Sequence, residues 1–411
     1  MLEQSWLEIK DDQLSLILPD GGVAPMHERV ARSFERLCQA RNRKNSPRVS
    51  SGYRICRPEI WQQSDAIGWT VRLNQAYLRT DLPRRLLMGN LDARRVTENA
   101  LPVIDVSGLR SPDPVDRIAV GEEIRAACLD LGFMYIVGHG VSPELRAAVL
   151  DQAAAFFALP EERKMAIDMK NSVGNAGYEP MSTQTLETGA PPDLKEGLYI
   201  GEELALDHPR VVAGGFNLGP NQWPDGLPGF RDTMNTYVDE MMELGKILMR
   251  GVALSLKLEE TFFDDYCTDP LIGLRPLHYP PQPANAHPDE KGCGAHTDFG
   301  GLTILMQDDL GGLQVMGADN EWIHAPPMAD SYIVNLGDMI ARWTNDKYRS
   351  TLHRVVNFSG KERYSIPFFY SGRLDHEVAA LPGCLEPGET PRYPPTTVEA
   401  HMREMYARTY L

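Results

Sequence analysis

His296, Asp298 and His353 have the residue types of a metal site: two imidazoles and one carboxylate. That set suits a non-haem Fe(II) centre, where three protein donors leave positions open for a co-substrate and O2. Ten and twelve residues after His353 come Arg363 and Ser365. An arginine fork beside a hydroxyl is a carboxylate-binding pair. Metal donors near a carboxylate clamp point to an oxygenase that spends a 2-oxo acid. An Arg-x-Ser pair can also hold a substrate carboxylate, so an oxidase that consumes no 2-oxo acid stays open. So does a binding module without turnover, which the intact donor set argues against.

Such donors need strands to bring them together. Residues i and i+2 of a strand share a face, so His296 and Asp298 can reach one metal from the mouth of a barrel. His353 follows Asp298 by 55 residues, room for several strands to return beside the first. Leu302–Met306, Leu313–Met316, Ser331–Leu336, Thr351–Phe358 and Tyr364–Tyr370 have strand length, with glycine-containing turns between them. This spacing predicts a sandwich or jelly-roll barrel. An H-x-D step alone is common by chance, and the chain has 10 histidines. His139, His278, His324 and His376 read as ordinary hydrogen-bonding groups. Cys293 reads as a small buried hydrophobe, Asp338 as a turn residue, and Trp322 and Trp343 as packing residues.

Upstream, Leu101–Val106 reads as a strand, Pro114–Leu131 as a helix and Gly132–Val137 as a buried strand. Ser142 is placed to cap a helix reaching Phe157, and Pro160 stands near the first turn of another. Residues 171–226 form a loop region rich in Gly, Pro and Asn. Phe230 to Leu258 is the longest helix. A last helix starts near Thr397, with Thr396 and Glu399 at capping-box spacing. The fold class is α+β, mainly β: a jelly-roll core flanked by helices.

The 411 residues carry a formal charge of −16, unevenly spread. Residues 1–100 hold 16 Lys and Arg against 12 Asp and Glu, whereas residues 101–411 hold 25 against 45. The acidic body is a poor partner for nucleic acid. The six cysteines show no C-x-x-C pair, which fits a reducing cytoplasm rather than a disulfide framework. No apolar run reaches the roughly 18 residues of a membrane span, and residues 1–30 lack signal-peptide order. Residues 1–95 carry no motif, though a helix from about His27 to Arg41 is predicted. They read either as a small appendage or as an overextended start with Met88 the true initiator. The second is favoured, because recognisable patterning begins only just after Met88. The remaining regions are 96–225, a helix-and-strand portion; 226–395, the jelly-roll core; and 396–411, the final helix.

Several stretches together carry a resemblance. They are Leu101-Pro102-Val103-Ile104-Asp105, Gly132-Phe133, Val137-Gly138-His139-Gly140-Val141 and Asp193-Leu194-Lys195-Glu196. Further along come Tyr332 to Asp338, Ser350 to Val355 and Arg363 to Phe369. From about Leu101 to Tyr393 the chain resembles the Fe(II)/2-oxoglutarate-dependent oxygenases of the isopenicillin N synthase-like group. The resemblance implies a double-stranded β-helix core, Fe(II) on His296, Asp298 and His353, and O2 and 2-oxoglutarate as co-substrates. It implies Arg363 and Ser365 on the distal carboxylate of 2-oxoglutarate, assisted by Tyr279. It implies release of succinate and CO2 coupled to hydroxylation, desaturation or cyclisation of a small molecule. Where the group often has Asn, two residues before that tyrosine, this chain has Leu277.

Local similarity around Gly292 to His296 and Ser365 to Phe369 leans toward bacterial members and a plant branch acting on guanidino amino acids. An amino acid or related metabolite is therefore one expectation. Glu196 or Asp375 could hold its cation, and Arg373 a carboxylate. The protein is expected to be a monomer or a weak homo-oligomer.

Overall fold

A computed structural model describes residues 101–282 and 289–409 in full; before them it describes the backbone of five short strands. Strands β1 (Trp6–Lys10), β2 (Gln13–Ile17) and β3 (Val23–Ala24) form one antiparallel sheet, and β4 (Trp61–Gln63) pairs with β5 (Trp69–Val71). They belong to a first unit, Met1–Leu87; a second spans Met88–Leu411. The helix expected near His27 lies outside the described residues.

The strands of the second unit begin with β6 (Val103–Asp105), β7 (Phe133–Val137), β8 (Gly177–Glu179) and β9 (Glu196–Tyr199). Then come β10 (Leu271–Leu274), β11 (Leu277–Tyr279), β12 (Cys293–His296), β13 (Leu302–Gln307) and β14 (Leu313–Met316). After these follow β15 (Trp322–His324), β16 (Tyr332–Leu336), β17 (His353–Val355) and β18 (Arg363–Gly372). A large sheet runs β6-β7-β16-β13-β18-β11-β9-β8, with β10 also on β18; a small sheet runs β12-β17-β14-β15. Four strands of the large sheet come from before residue 226, so the barrel is built from both halves of the unit.

Successive strand residues face opposite ways, and the large sheet uses both faces. Met134, Ile136, Val334, Ile304, Ile366 and Phe368 join a core with the helices. That outer core holds Phe230–Ser255, whose buried Met234, Tyr237, Met241, Leu244 and Leu248 recur at helical spacing. Phe133, Tyr135, Ile333, Leu277 and Tyr279 instead meet Cys293, Leu313, Val315, Ile323 and Val355 of the small sheet. This second cluster is the barrel interior. By the same alternation Thr303, Asn335, Arg363 and Ser365 face inward.

Most sequence-expected elements are present with shifted ends. The strand expected over Thr351–Phe358 is only β17, and Asp338 opens a helix, Asp338–Trp343, rather than a plain turn. The final helix runs Val398–Thr409, and the N–H of its third residue, Ala400, donates to Thr397 Oγ1 at 3.2 Å, not to Thr396. Glu399 accepts from Phe216 N and Arg403 instead of closing a capping box. Ser142 caps as expected, accepting from Leu145 N at 3.1 Å. Trp343 packs on Phe263 and Tyr266, and Trp322 lies under the Arg354 guanidinium. No helix among the described residues is long and apolar enough to cross a membrane.

The long helix fixes β18 through a close approach. A Cβ on Gly245 would stand 2.5 Å from Tyr370 Cδ2. Helix propensity favours Ala over Gly by about 1 kcal/mol, but overpacking a core costs about 1–3 kcal/mol. Gly245→Ala should therefore lower the urea midpoint of unfolding; a raised midpoint would show that the contact yields.

Candidate active site

His296 ends β12 and lies directly across from His353 at the start of β17, their Cα atoms paired in register. The pairing shifts between Cys293 and His296, which turns the end of β12. The two ring centroids are 4.2 Å apart. The two-residue step predicts Asp298 on the same strand as His296, but the strand stops at His296 and Asp298 lies just beyond it. It is fixed there because its carbonyl accepts Asp338 N–H at 2.8 Å. Asp298 Oδ1 is 3.7 Å from Nε2 of each histidine, and one donor atom from each residue lies within 4.8 Å of the others. Among the described residues this is the one cluster of such groups that could hold a metal ion.

Each donor is aimed by a second contact. His296 Nδ1 is 2.8 Å from Gly294 O, and His353 Nδ1 is 3.1 Å from Thr351 O. A carbonyl only accepts, so both Nδ1 atoms carry the proton and both Nε2 lone pairs face the ion position. Asp298 Oδ2 accepts from Thr303 Oγ1 at 2.5 Å and from Asn335 Nδ2 at 2.7 Å, which leaves Oδ1 toward the histidines. Thr303 and Asn335 are Cα partners across β13 and β16. Burial opposes the Asp298 charge, but the two histidines and these hydrogen bonds hold its carboxyl below the ordinary value. Burial and the neighbouring His296 push His353 down to about 4, which keeps it neutral, as ligation requires. Burial also pushes the Cys293 thiol up to about 12, so this sulfur, 3.8 Å from His296 Nδ1, stays protonated.

Further inside the barrel, Tyr279 pairs in register with Arg363, and Leu277 with Ser365. Arg363 is 0% exposed. Its Nη2 donates to Gln307 Oε1 at 3.1 Å, its Nε to Gly311 O, and its guanidinium lies over the Tyr279 ring at 4.8 Å. No carboxylate pairs with it among the described residues, and its Nη1 is buried without a hydrogen-bond partner. A buried cation with an unmet donor is costly unless an anion meets it. The Tyr279 hydroxyl reaches Ser365, and burial raises its pKa.

A cavity opens beside the donors, walled by His296, Asp298, Tyr199, Phe369, Tyr406, Arg275, Gln184 and Leu186. Glu196, Asp375 and Arg373, the residues expected to hold a substrate's charged groups, are absent from this wall. Glu196 is buried and tied to Lys164, Tyr178 and His278. Arg373 binds Asp375 and Asp265. Of the other histidines, His139 accepts from Val141 N, His278 bridges Glu196 and Glu362, and His376 meets Asp265.

Two stretches of the chain match family models. Residues 101–226 match the N-terminal region described as non-haem dioxygenase in morphine synthesis, and residues 269–372 match the 2OG-Fe(II) oxygenase superfamily. The chain belongs to the 2OG-Fe(II) oxygenase superfamily. This oxygenase is 46% identical over 318 residues to the 2-oxoglutarate-Fe(II) type oxidoreductase hxnY of Emericella nidulans, covering 76% of this chain and 90% of that one. It is 42% identical over 319 residues to the 2-oxoglutarate-dependent dioxygenase citB of Monascus ruber, covering 75% and 95%. Among solved structures, a full-length Neurospora crassa protein in complex with alpha-KG and thymine superposes with a TM-score of 0.67 at 30% identity, covering 76% of this chain and 99% of that one. The oxygenase is a 2-oxoglutarate-dependent dioxygenase with a double-stranded β-helix core, using Fe(II) and O2.

Sequence patterns point to the six inner residues but not to Thr303 and Asn335, which aim Asp298. Nor do they point to Arg275 and Gln184 in the cavity wall. The signal available is the inward phase of β13 and β16, where a Thr and an Asn interrupt apolar residues. Asn335→Ala removes one of two donors to Asp298 Oδ2. It should weaken metal binding by about 10–100-fold, measured by anaerobic Fe(II) titration; unchanged affinity would show that Thr303 alone suffices.

Proposed function

We propose that His296, Asp298 and His353 hold the Fe(II), that Arg363 with Ser365 and Tyr279 holds the distal carboxylate of 2-oxoglutarate, and that the substrate is a small planar ring bearing carbonyl oxygens. The buried Arg363 guanidinium carries the co-substrate assignment. It has an unmet Nη1 donor and no carboxylate partner among the described residues, so the donor set and the cation together fit Fe(II) and a dicarboxylate.

When bound, Fe(II) with 2-oxoglutarate and O2 supplies the oxidising chemistry, coupled to release of succinate and CO2. The protein orients and shields. Gly294 O and Thr351 O keep both histidines in the tautomer that presents Nε2. Thr303 and Asn335 keep Asp298 Oδ1 turned to the same point. Arg363, anchored by Gln307 and Gly311, sets the depth at which the co-substrate stops. Leu277, across from Ser365, adds an apolar surface to the barrel interior. The interior cluster around it excludes water.

The cavity wall supports the substrate class. Tyr199, Phe369 and Tyr406 bring rings to the wall, while Arg275, paired with Glu179 and bonded to Gln184, gives it a polar patch. The Neurospora crassa structures with thymine and with 5-formyluracil hold ligands of this kind. An amino-acid substrate draws less support, because Glu196, Asp375 and Arg373 lie outside the wall.

Pyrimidines should stimulate succinate release from the Fe(II)-loaded enzyme in air. Stimulation by free amino acids alone would overturn the substrate class, and O2 uptake without succinate would restore the oxidase reading. His296→Ala should abolish turnover. Arg363→Met should raise the KM for 2-oxoglutarate about 100-fold or more, from loss of charge-assisted hydrogen bonds. It should leave the melting temperature of the ligand-free protein unchanged or higher, because an uncompensated buried cation is removed. A lowered melting temperature with unchanged KM would show that Arg363 is structural.

A further inference from the structure

Strand β12 is an edge strand, with β17 its one strand neighbour. The N–H groups of its two central residues donate to side chains. Gly294 N donates to Asp193 Oδ1 at 2.8 Å, and Ala295 N to Glu187 Oε2 at 2.9 Å. Both carboxylates belong to the segment that lends Gln184 and Leu186 to the wall of the cavity beside the donors. This segment lies directly on the strand: a Cβ on Gly294 would stand 2.7 Å from Glu187 Cβ and 2.9 Å from Glu187 N.

The two anchors differ in kind. Asp193 is 2% exposed and paired with Lys195, itself 3% exposed, so releasing it would strand buried charge. The Glu187 side chain is 35% exposed and meets Lys291 at 3.1 Å, so it can let go into water. Its contact is also placed differently. The N–H of Ala295 and the C=O of Gly294 belong to one peptide group, and that C=O accepts from His296 Nδ1 at 2.8 Å. Carboxylate, peptide and imidazole form one chain of hydrogen bonds, in which each bond polarises the next. Tilting this peptide turns the imidazole.

We propose that Glu187 is a positioning residue for the reaction. Through the peptide between Gly294 and Ala295 it sets the orientation of His296, and it makes that setting depend on the Gln184–Asp193 segment resting on the strand. A substrate seated against Gln184 and Leu186 holds this segment on the strand and keeps the chain intact. This inference rests on His296 as a metal ligand.

The test uses the full chain loaded with Co(II) and 2-oxoglutarate, where the two ring N–H protons give paramagnetically shifted proton NMR signals. Glu187→Ala should move the His296 signal and speed its exchange with solvent about tenfold, the loss expected for one charge-assisted hydrogen bond. The His353 signal should stay, because its Nδ1 donates to Thr351 O. Glu187→Gln keeps an acceptor for Ala295 and should restore the native spectrum. In the Fe(II) enzyme, Glu187→Ala should release more succinate per substrate oxidised, and Glu187→Gln should not. A Glu187→Ala spectrum identical to the native one, or one in which both signals move alike, would overturn the inference alone. A native protein that binds no Co(II) would overturn the metal assignment with it.

Discussion

Asp298 faces two ways, and the geometry of the whole site hangs on it. One carboxylate oxygen points at both imidazoles, and the other is gripped by Thr303 and Asn335. The gripping pair belongs to the large sheet and the histidines to the small one, so this carboxylate links the two walls of the barrel. Thr303 and Asn335 meet only if β13 and β16 keep their register. A slip of one residue would turn every inward side chain of a strand outward. Arg363 and Ser365 rely on the same alternation in β18, and Tyr279 on that in β11.

The second demand on the fold is a buried cation. Arg363 sits among apolar neighbours with a carbonyl, an amide oxygen and an aromatic face as partners, none of them charged. Such an arrangement is unfavourable by itself. It persists because β18 is held on both sides, by β13 and β11, and because its outward residues Ile366, Phe368 and Tyr370 are locked into the helical core. The stability of that outer core holds a charge in place for an anionic co-substrate to meet.

Much of this is legible from residue types. The H-x-D step, the later histidine and the Arg-x-Ser pair are local patterns, and the inward phase of Arg363 and Ser365 follows from strand alternation. Less is legible where a side chain's partner is distant in sequence. Asn335 reads as one polar residue in an apolar strand until Asp298 is seen beside it. Glu187 and Asp193 lie in a stretch that reads as a loop region, and their part shows only when β12 is seen to need acceptors along its edge. Arg373, Asp375 and Glu196 look available for a substrate in the sequence, yet each is engaged elsewhere. The helix at Asp338 follows from a contact with Asp298 that no local pattern encodes.

Residue identity and short-range periodicity were enough for the donor types, the mainly β architecture and the class of chemistry. The folded chain was needed to learn which oxygen of Asp298 is free, which carboxylates hold the His296 strand and which side chains wall the cavity. Those depend on pairings between residues far apart in the chain: the histidines are aimed by carbonyls two residues away, but Asp298 is aimed only once Thr303 and Asn335 of the large sheet have met it.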